Sequence, residues 1–281
     1  MPAPAPAVTP ALPEAGAKLL KARRRRLGRP RLVLVGCGDV GLRIVARLRD
    51  RYRVFGTVTS PASAAQVRAA GAIPLLLDLD TACRSRRSAP RLAGLATRVM
   101  LLAPTSTSGR RDRRARHLLG LLGRASGATA RLVYISTTGV YGDRRGAWTD
   151  ETTPAAPAND RAARRLDAEN LLRRATPGAA VLRAPGIYAA DRLPLARLRE
   201  AIPVPLPAED VFTNHIHADD LARACIAALH RAAPARTYNI IDDSGLLLGE
   251  YLDLVADHSG LPRPPRACRS WGSRGASATG A

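Results

Sequence analysis

Apolar positions fall into short runs joined by stretches of helical periodicity. Leu32 to Val35 is an unbroken Leu/Val run, the composition of a parallel strand buried on both faces. It meets Gly36-Cys37-Gly38-Asp39-Val40-Gly41, after which Ile44, Val45 and Leu48 recur at helical spacing. Residues 53–58 predict a second strand, 72–80 a third ending in acids, 98–104 a fourth and 131–136 a fifth. Leu118, Leu119 and Leu122 predict a helix between the last two, with its leucines facing inward. Strands alternating with helices at this spacing predict an α/β fold with a doubly wound parallel sheet. Ligands of such sheets sit beyond the carboxyl ends of the strands, so chemistry is expected after positions 35, 58, 77, 103 and 135.

The first of those positions opens a G-x-G-x-x-G between strand and helix. Gly36 permits the tight turn, Gly38 lets a diphosphate touch the backbone, and Gly41 lets helix and strand pack closely. The amides around Asp39, Val40 and Gly41, with the positive end of the helix dipole, would hold the phosphates. An acid after the second strand would grip the ribose 2′-hydroxyl of NAD. Thr57, Thr59 and Ser60 stand there instead. No carboxylate repels a 2′-phosphate, which favours NADP over NAD. Ser60 precedes Pro61, so it is either a cofactor contact or a helix N-cap. Asp78 and Leu79 end the third run where adenine would lie, and Ala103 and Pro104 end the fourth.

Composition adds limits. The 281 residues suffice for a sizeable core, and no apolar run is long enough to span a membrane. Cys37, Cys83, Cys225 and Cys268 show no metal spacing, so free thiols in a reducing, cytoplasmic setting and no metal site are expected. The formal charge is +21, carried almost wholly by arginine, with lysine only at Lys18 and Lys21. The arginines are scattered over predicted helices and Phe and Trp are scarce, which reads as coding bias on solvated faces, with nucleic acid not expected as a partner. An alternative makes the basic leader and surface an anion-binding device. Residues 1–30, Pro/Ala-rich with a basic run from Lys21 to Arg26, are expected to form a disordered leader, and 266–281, Ser/Gly/Arg/Ala-rich and aperiodic, a disordered tail.

The fifth strand ends in Ser136-Thr137-Thr138-Gly139-Val140-Tyr141-Gly142-Asp143. This stretch resembles the S-S/T-x-x-V-Y-G-[DE] segment of extended short-chain dehydrogenase/reductases, the NAD(P)-dependent epimerase/dehydratase family. Trp148 to Pro154 is similar to that family's D-E-x-x-P loop, Arg165 to Glu169 to its K-L-x-x-E helix, and Leu182 to Tyr188 to its L-R-x-x-x-V-Y-G. Asn214 to Ala222 resembles [IV]-H-V-D-D-[LV]-A, and Thr237 to Ile240 resembles x-Y-N-[IV]. The resemblance spans roughly residues 31–265. It implies a Rossmann-type NAD(P)-binding domain with a small C-terminal substrate lobe, built from about 186–210 and 244–265. It also implies hydride transfer on a sugar-like or other hydroxyl/carbonyl small molecule.

The family's catalytic Tyr and Lys, four residues apart, correspond to Arg161 and Arg165, and no lysine follows Lys21. Guanidinium stays protonated and is no general base near neutral pH. The chain therefore resembles an atypical, YeeZ-like branch that lacks the pair. The resemblance places Thr137 and Thr138 where a hydroxyl would polarise a substrate carbonyl, Arg161 and Arg165 as fixed cations for an anionic group, and Pro185 beside the nicotinamide. Tyr141 is the nearest phenol, an acid or a packing residue; His217, in a packing or hydrogen-bonding role, precedes a helix expected to be capped by Asp219 or Asp220; and Tyr188 is expected to reach the cleft. A non-catalytic dinucleotide-binding module remains the alternative.

Overall fold

The strands form where uninterrupted β-branched and leucine runs can be covered from two sides. The computed structural model describes residues 28–81, 92, 94, 95, 98–123 and 131–268. In chain order the first half contains β1 (Arg31–Val35), α1 (Asp39–Leu48), β2 (Arg53–Val58), α2 (Pro61–Ala69), β3 (Ile73–Leu76), β4 (Arg98–Leu101) and α3 (Arg113–Leu122). β5 (Arg131–Thr137), a single-turn 3-10 helix at Thr138–Tyr141, α4 (Asp160–Ala175), β6 (Ala179–Ala184) and β7 (Gly186–Tyr188) follow. The remainder is α5 (Leu195–Arg199), β8 (Val204–Pro205), β9 (His215–His217), α6 (Ala218–Arg231), β10 (Thr237–Asn239), α7 (Leu248–Ser259) and β11 (Arg266–Ala267).

Seven strands make one sheet in the order β10-β6-β5-β4-β1-β2-β3, and every pairing in it is parallel. The order reverses between β1 and β4, so the glycine turn after β1 opens onto the switch point where such sheets bind ligands. Alternation along the strands sorts two cores. Leu32 and Leu34 face Ile44 and Leu48 of α1 and Leu221, Cys225 and Leu229 of α6. Val33 and Val35 face the opposite layer, with Leu118 and Leu122 of α3 and Leu172 of α4. A third, smaller cluster of Leu198, Val204, Leu252, Val255 and Ala256 is the lobe.

Some boundaries differ from expectation. The third strand stops at Leu76 because the Asp78 carboxylate accepts the Asp80 amide at 2.9 Å and turns the chain. The lobe reaches beyond residue 265, since Arg266 and Ala267 pair with β8. Arg266 is held there by Asp253 at 2.6 Å and Asp210 at 3.6 Å. Residues 1–27 of the expected leader, 269–281 of the expected tail, and Cys83 lie outside the described residues. Among the described residues no helix is long and apolar enough to cross a membrane.

The loop after β4 is fixed to α4 through one carboxylate. Asp167 accepts the Asp112 amide at 2.8 Å and both Arg116 nitrogens at 2.8 and 3.1 Å. Burial by itself would raise the Asp167 carboxyl, but Arg116 and the Asp112 amide outweigh it and hold the pKa below its ordinary value. A depressed carboxyl adds stability above the unfolded-state pKa and loses it as pH falls through the folded value. Asp167→Asn should therefore lower the denaturation midpoint at neutral pH, with the difference from wild type shrinking as pH falls below the ordinary carboxylate range and through the lowered folded-state pKa, as a urea titration at several pH values would measure.

Candidate dinucleotide site

Glycine-turn geometry follows from what surrounds each glycine. Gly36 has φ +87°, and a Cβ there would meet the Ala103 backbone at 2.6 Å. That close approach carries the end of β4 onto the turn, where the amides of Leu102 and Ala103 both donate to the Val35 carbonyl, at 2.8 and 2.9 Å. The Gly36 amide donates to Thr57 Oγ1 at 2.9 Å and the Cys37 amide to the Thr57 carbonyl at 2.8 Å. Thr57 thus points inward and braces the turn. Gly38 behaves differently: a Cβ there would touch nothing within 4 Å, and it caps α1 with no side chain. Open space in front of an uncapped helix N-terminus fits an anionic group. A Cβ at Gly41 would meet Cys37 Sγ at 3.1 Å, and burial pushes that thiol up to about 11.

Asp39, in the first turn of α1, pairs with Arg43 at 2.8 Å and with Arg192 from beyond β7 at 2.9 Å. Burial opposes its ionisation, but Arg192 and Arg43 prevail and keep the carboxyl below its ordinary pKa. Arg43 continues to Asp219 at 3.2 Å, which Arg47 also meets at 2.9 Å. Val40 is buried against the core.

Around the adenine end expected from the sequence, Thr59 is exposed and Ser60 caps α2, accepting the Ser63 amide at 3.2 Å. Asp78 is occupied in its own turn, and the Leu79 side chain is buried in the core. The Leu79 carbonyl accepts from His117 Nδ1 at 2.6 Å. Asp80 and Arg114 form a two-pronged pair at 2.9 and 2.5 Å, and Arg114 also donates to the Pro104 carbonyl at 3.2 Å. Pro104 itself is exposed. These contacts bridge the ends of β3 and β4.

At the far end of the cleft, Thr137 Oγ1 accepts the Gly139 amide at 3.2 Å, which leaves its own proton free to donate. Thr138 and Pro185 are half-buried at neighbouring strand ends, paired through Thr137 and Ala184. Tyr141 is buried, donates to Asn239 Oδ1 at 2.8 Å, and lies under the Arg183 guanidinium, 4.7 Å from its ring centre. That phenol is a packing residue. Arg165 donates to the Ile135 carbonyl at 2.8 Å and the Tyr134 hydroxyl at 3.3 Å, whereas Arg161 is exposed. His217 also proves structural. Its Nδ1 accepts the Asp219 amide at 3.2 Å and caps α6, a role the sequence suggested for Asp219 or Asp220.

Beneath Thr137 lies a buried polar centre that sequence reasoning missed. Glu169 is fully buried and accepts from Ser136 at 2.5 Å and from Arg183 at 3.1 and 2.8 Å. Burial would lower the Arg183 pKa, and Glu169 more than reverses that. The signal was present as an arginine inside an otherwise apolar strand. His215 was also missed; it stacks on Tyr251 at 3.8 Å and lies edge-on to Tyr188 at 6.3 Å.

No protein-family model and no curated protein matches the chain. Solved structures do. A conserved protein of unknown function from Silicibacter pomeroyi is 28% identical, with TM-score 0.72 over 85% of this chain and 82% of that one. A provisionally named NAD-dependent epimerase/dehydratase from Methylobacillus flagellatus is also 28% identical, with TM-score 0.61 over 85% and 87%. The UDP-Glc/GlcNAc 4-epimerase of Campylobacter jejuni, 15% identical with TM-score 0.67 over 85% and 87%, shares the fold. The chain has the extended short-chain dehydrogenase/reductase-like fold of these epimerase/dehydratase structures.

Two substitutions test the local geometry. Gly36→Ala should lower stability markedly, because a positive φ and a backbone clash must both be relieved. Glu169→Ala should cost about 3–5 kcal/mol by stranding the buried Arg183 charge. Chemical denaturation checks both.

Proposed function

We propose that this protein binds a nicotinamide dinucleotide on the glycine turn and acts as an oxidoreductase of the NAD(P)-dependent epimerase/dehydratase family, in its atypical YeeZ-like branch. The observation that carries the reading is the contrast between Gly36, locked against Ala103, and Gly38, which faces open space. The protein itself has no use for a bare α-carbon at Gly38, while a diphosphate does. Asp39, Val40 and Gly41 supply the amides; Ala103 and Pro104 border the cleft, Asp78 and Leu79 its adenine end, and Pro185 its nicotinamide end. The segment after β2, Thr59 and Ser60, carries no carboxylate to repel a 2′-phosphate, and the proposal favours NADP.

The cofactor, when bound, supplies hydride to or takes it from a hydroxyl or carbonyl carbon. The chain's own contribution is orientation and polarisation. Thr137, whose oxygen already accepts an amide, donates its proton to a substrate oxygen, and Thr138 stands beside it. Arg165 is fixed on the Ile135 carbonyl and braces the strand end. Arg161, exposed one turn earlier on α4, is the cation of the two that can meet an anionic substrate group.

One observation favours a second reading, a dinucleotide-binding module without catalysis. The helix positions for the family's proton-transfer pair hold two guanidiniums, and the nearby phenol of Tyr141 is covered by Arg183.

Titration of NADPH and NADH fluorescence tests the assignment. Wild type should bind NADPH saturably and more tightly than NADH. Gly38→Trp should abolish binding while keeping the wild-type melting temperature. Binding that survives in the variant, or none in wild type, would overturn the reading. Hydride exchange into a library of carbonyl compounds separates the enzyme from the module.

A further inference from the structure

Arginines stand at both ends of the sheet, and at the end opposite the cleft they gather at the starts of adjacent strands. At the cleft end, Arg43, Arg47, Arg114 and Arg192 each pair with an aspartate, while Arg111, Arg113, Arg145 and Arg161 are exposed and join no ion pair among the described residues. At the opposite end, four neighbouring strands begin with arginine. In sheet order these are Arg131 of β5, Arg98 of β4, Arg31 of β1 and Arg53 of β2. Arg98 lies opposite Arg131 and Arg31 opposite Arg53, and because Leu32 lies opposite Arg98 the two pairs are offset by one residue and point to opposite faces of the sheet. At a strand spacing of about 4.8 Å this row of strand starts is about 14 Å long, with two arginines on each side of the sheet.

Neighbouring segments extend the row. Arg51 enters from the α1–β2 turn and Arg231 from the end of α6, both exposed. Among the described residues none of these six arginines takes part in an ion pair. Asp50 is the one carboxylate in the turns that form this end, and it also joins no ion pair. His230, beside them, is pushed below its ordinary pKa first by burial and then by Arg98, Arg51, Arg231 and Arg131. The basic run Lys21 to Arg26 precedes β1 in sequence, so the chain enters the described fold at this same end.

We propose that this end of the sheet is a docking face for the phosphate backbone of a nucleic-acid duplex, independent of whatever binds in the cleft. Guanidinium forks match phosphate oxygens in pairs, and the backbone of a duplex presents such charges along its whole length. The aromatic rings at this end are covered, Tyr52 by Arg98 and Phe55 by Arg53, which leaves no open platform for the stacked bases of a single strand. The exposed large apolar residues Leu76, Trp148, Ile202, Phe212, Ile241 and Leu254 all belong to other regions. The face therefore has charge without the apolar anchors that hold a protein on a bilayer.

The test uses the full chain and a fluorescein-labelled DNA duplex of mixed sequence, about 20 base pairs long, read by anisotropy across a salt series. Wild type should bind with an affinity that falls steeply with salt. The exposed quartet Arg31→Gln, Arg51→Gln, Arg53→Gln and Arg231→Gln should weaken binding about tenfold or more and flatten the slope of log K against log salt by about 0.9 for each phosphate no longer neutralised. Lysines at the same four positions should restore most of the affinity. A control quartet away from the face, Arg111→Gln, Arg113→Gln, Arg145→Gln and Arg199→Gln, should change it by less than about twofold.

Equal losses from both quartets would mean diffuse charge and overturn the proposal. So would an unchanged affinity in the face quartet, which would assign binding to the leader alone. Tighter binding to phosphatidylserine vesicles than to the duplex, or no duplex binding by wild type, would overturn it as well.

Discussion

The approach of two backbones at the sheet's switch point governs the architecture. Gly36 can turn only because its φ is positive, and the Ala103 main chain occupies the space any side chain would need. That approach brings the ends of β1 and β4 together. It aims the N-terminus of α1 into the crevice between them, while Thr57 holds the turn from beneath. Packing on both sheet faces then follows from alternation, since each strand residue must meet one of two helical layers. The hydrophobic term supplies the bulk of the stability, but the turn decides where the opening lies.

The buried polar centre under β5 has a different role. Ser136, Glu169 and Arg183 come from β5, α4 and β6, and the bonds that join these three are between residues distant in sequence. Such a centre contributes little net stability over an apolar equivalent, yet it strongly penalises any arrangement that leaves one member unpaired. It therefore fixes α4 against two strands in one register. Arg165 adds to this by anchoring on the Ile135 carbonyl. The helix that carries a proton-transfer pair in the resembled family is here a structural strut.

Much of the fold was legible because strand signals are local. Leu32–Val35 and Arg53–Val58 can be read without knowing any partner, and the order of motifs from Ser136 to Asn239 implied the rest of the sheet. The site was legible at the glycines, where a residue type reports a backbone constraint. It was not legible where a side chain's role depends on what reaches it from elsewhere. His217 became a helix cap, Tyr141 was covered by Arg183, and Asp78 closed its own turn, whereas the cap at Ser60 was one of the two readings its Pro61 neighbour allowed. Arginine placement is the clearest case, since composition gives the sum of the charges but only the strand order gathers four of them at the starts of adjacent strands.

The bridge from Asp39 to Arg192 has a consequence for how the halves of the molecule communicate. A carboxylate in the first turn of α1 would normally discourage any incoming phosphate, and two guanidiniums cancel that discouragement. One of them arrives from the far side of the crevice, on the segment leading to the lobe. The first turn of α1 and the segment leading to the lobe are therefore joined electrostatically: withdrawal of Arg192 would leave Asp39 with Arg43 as its one remaining partner and the mouth of the turn more negative.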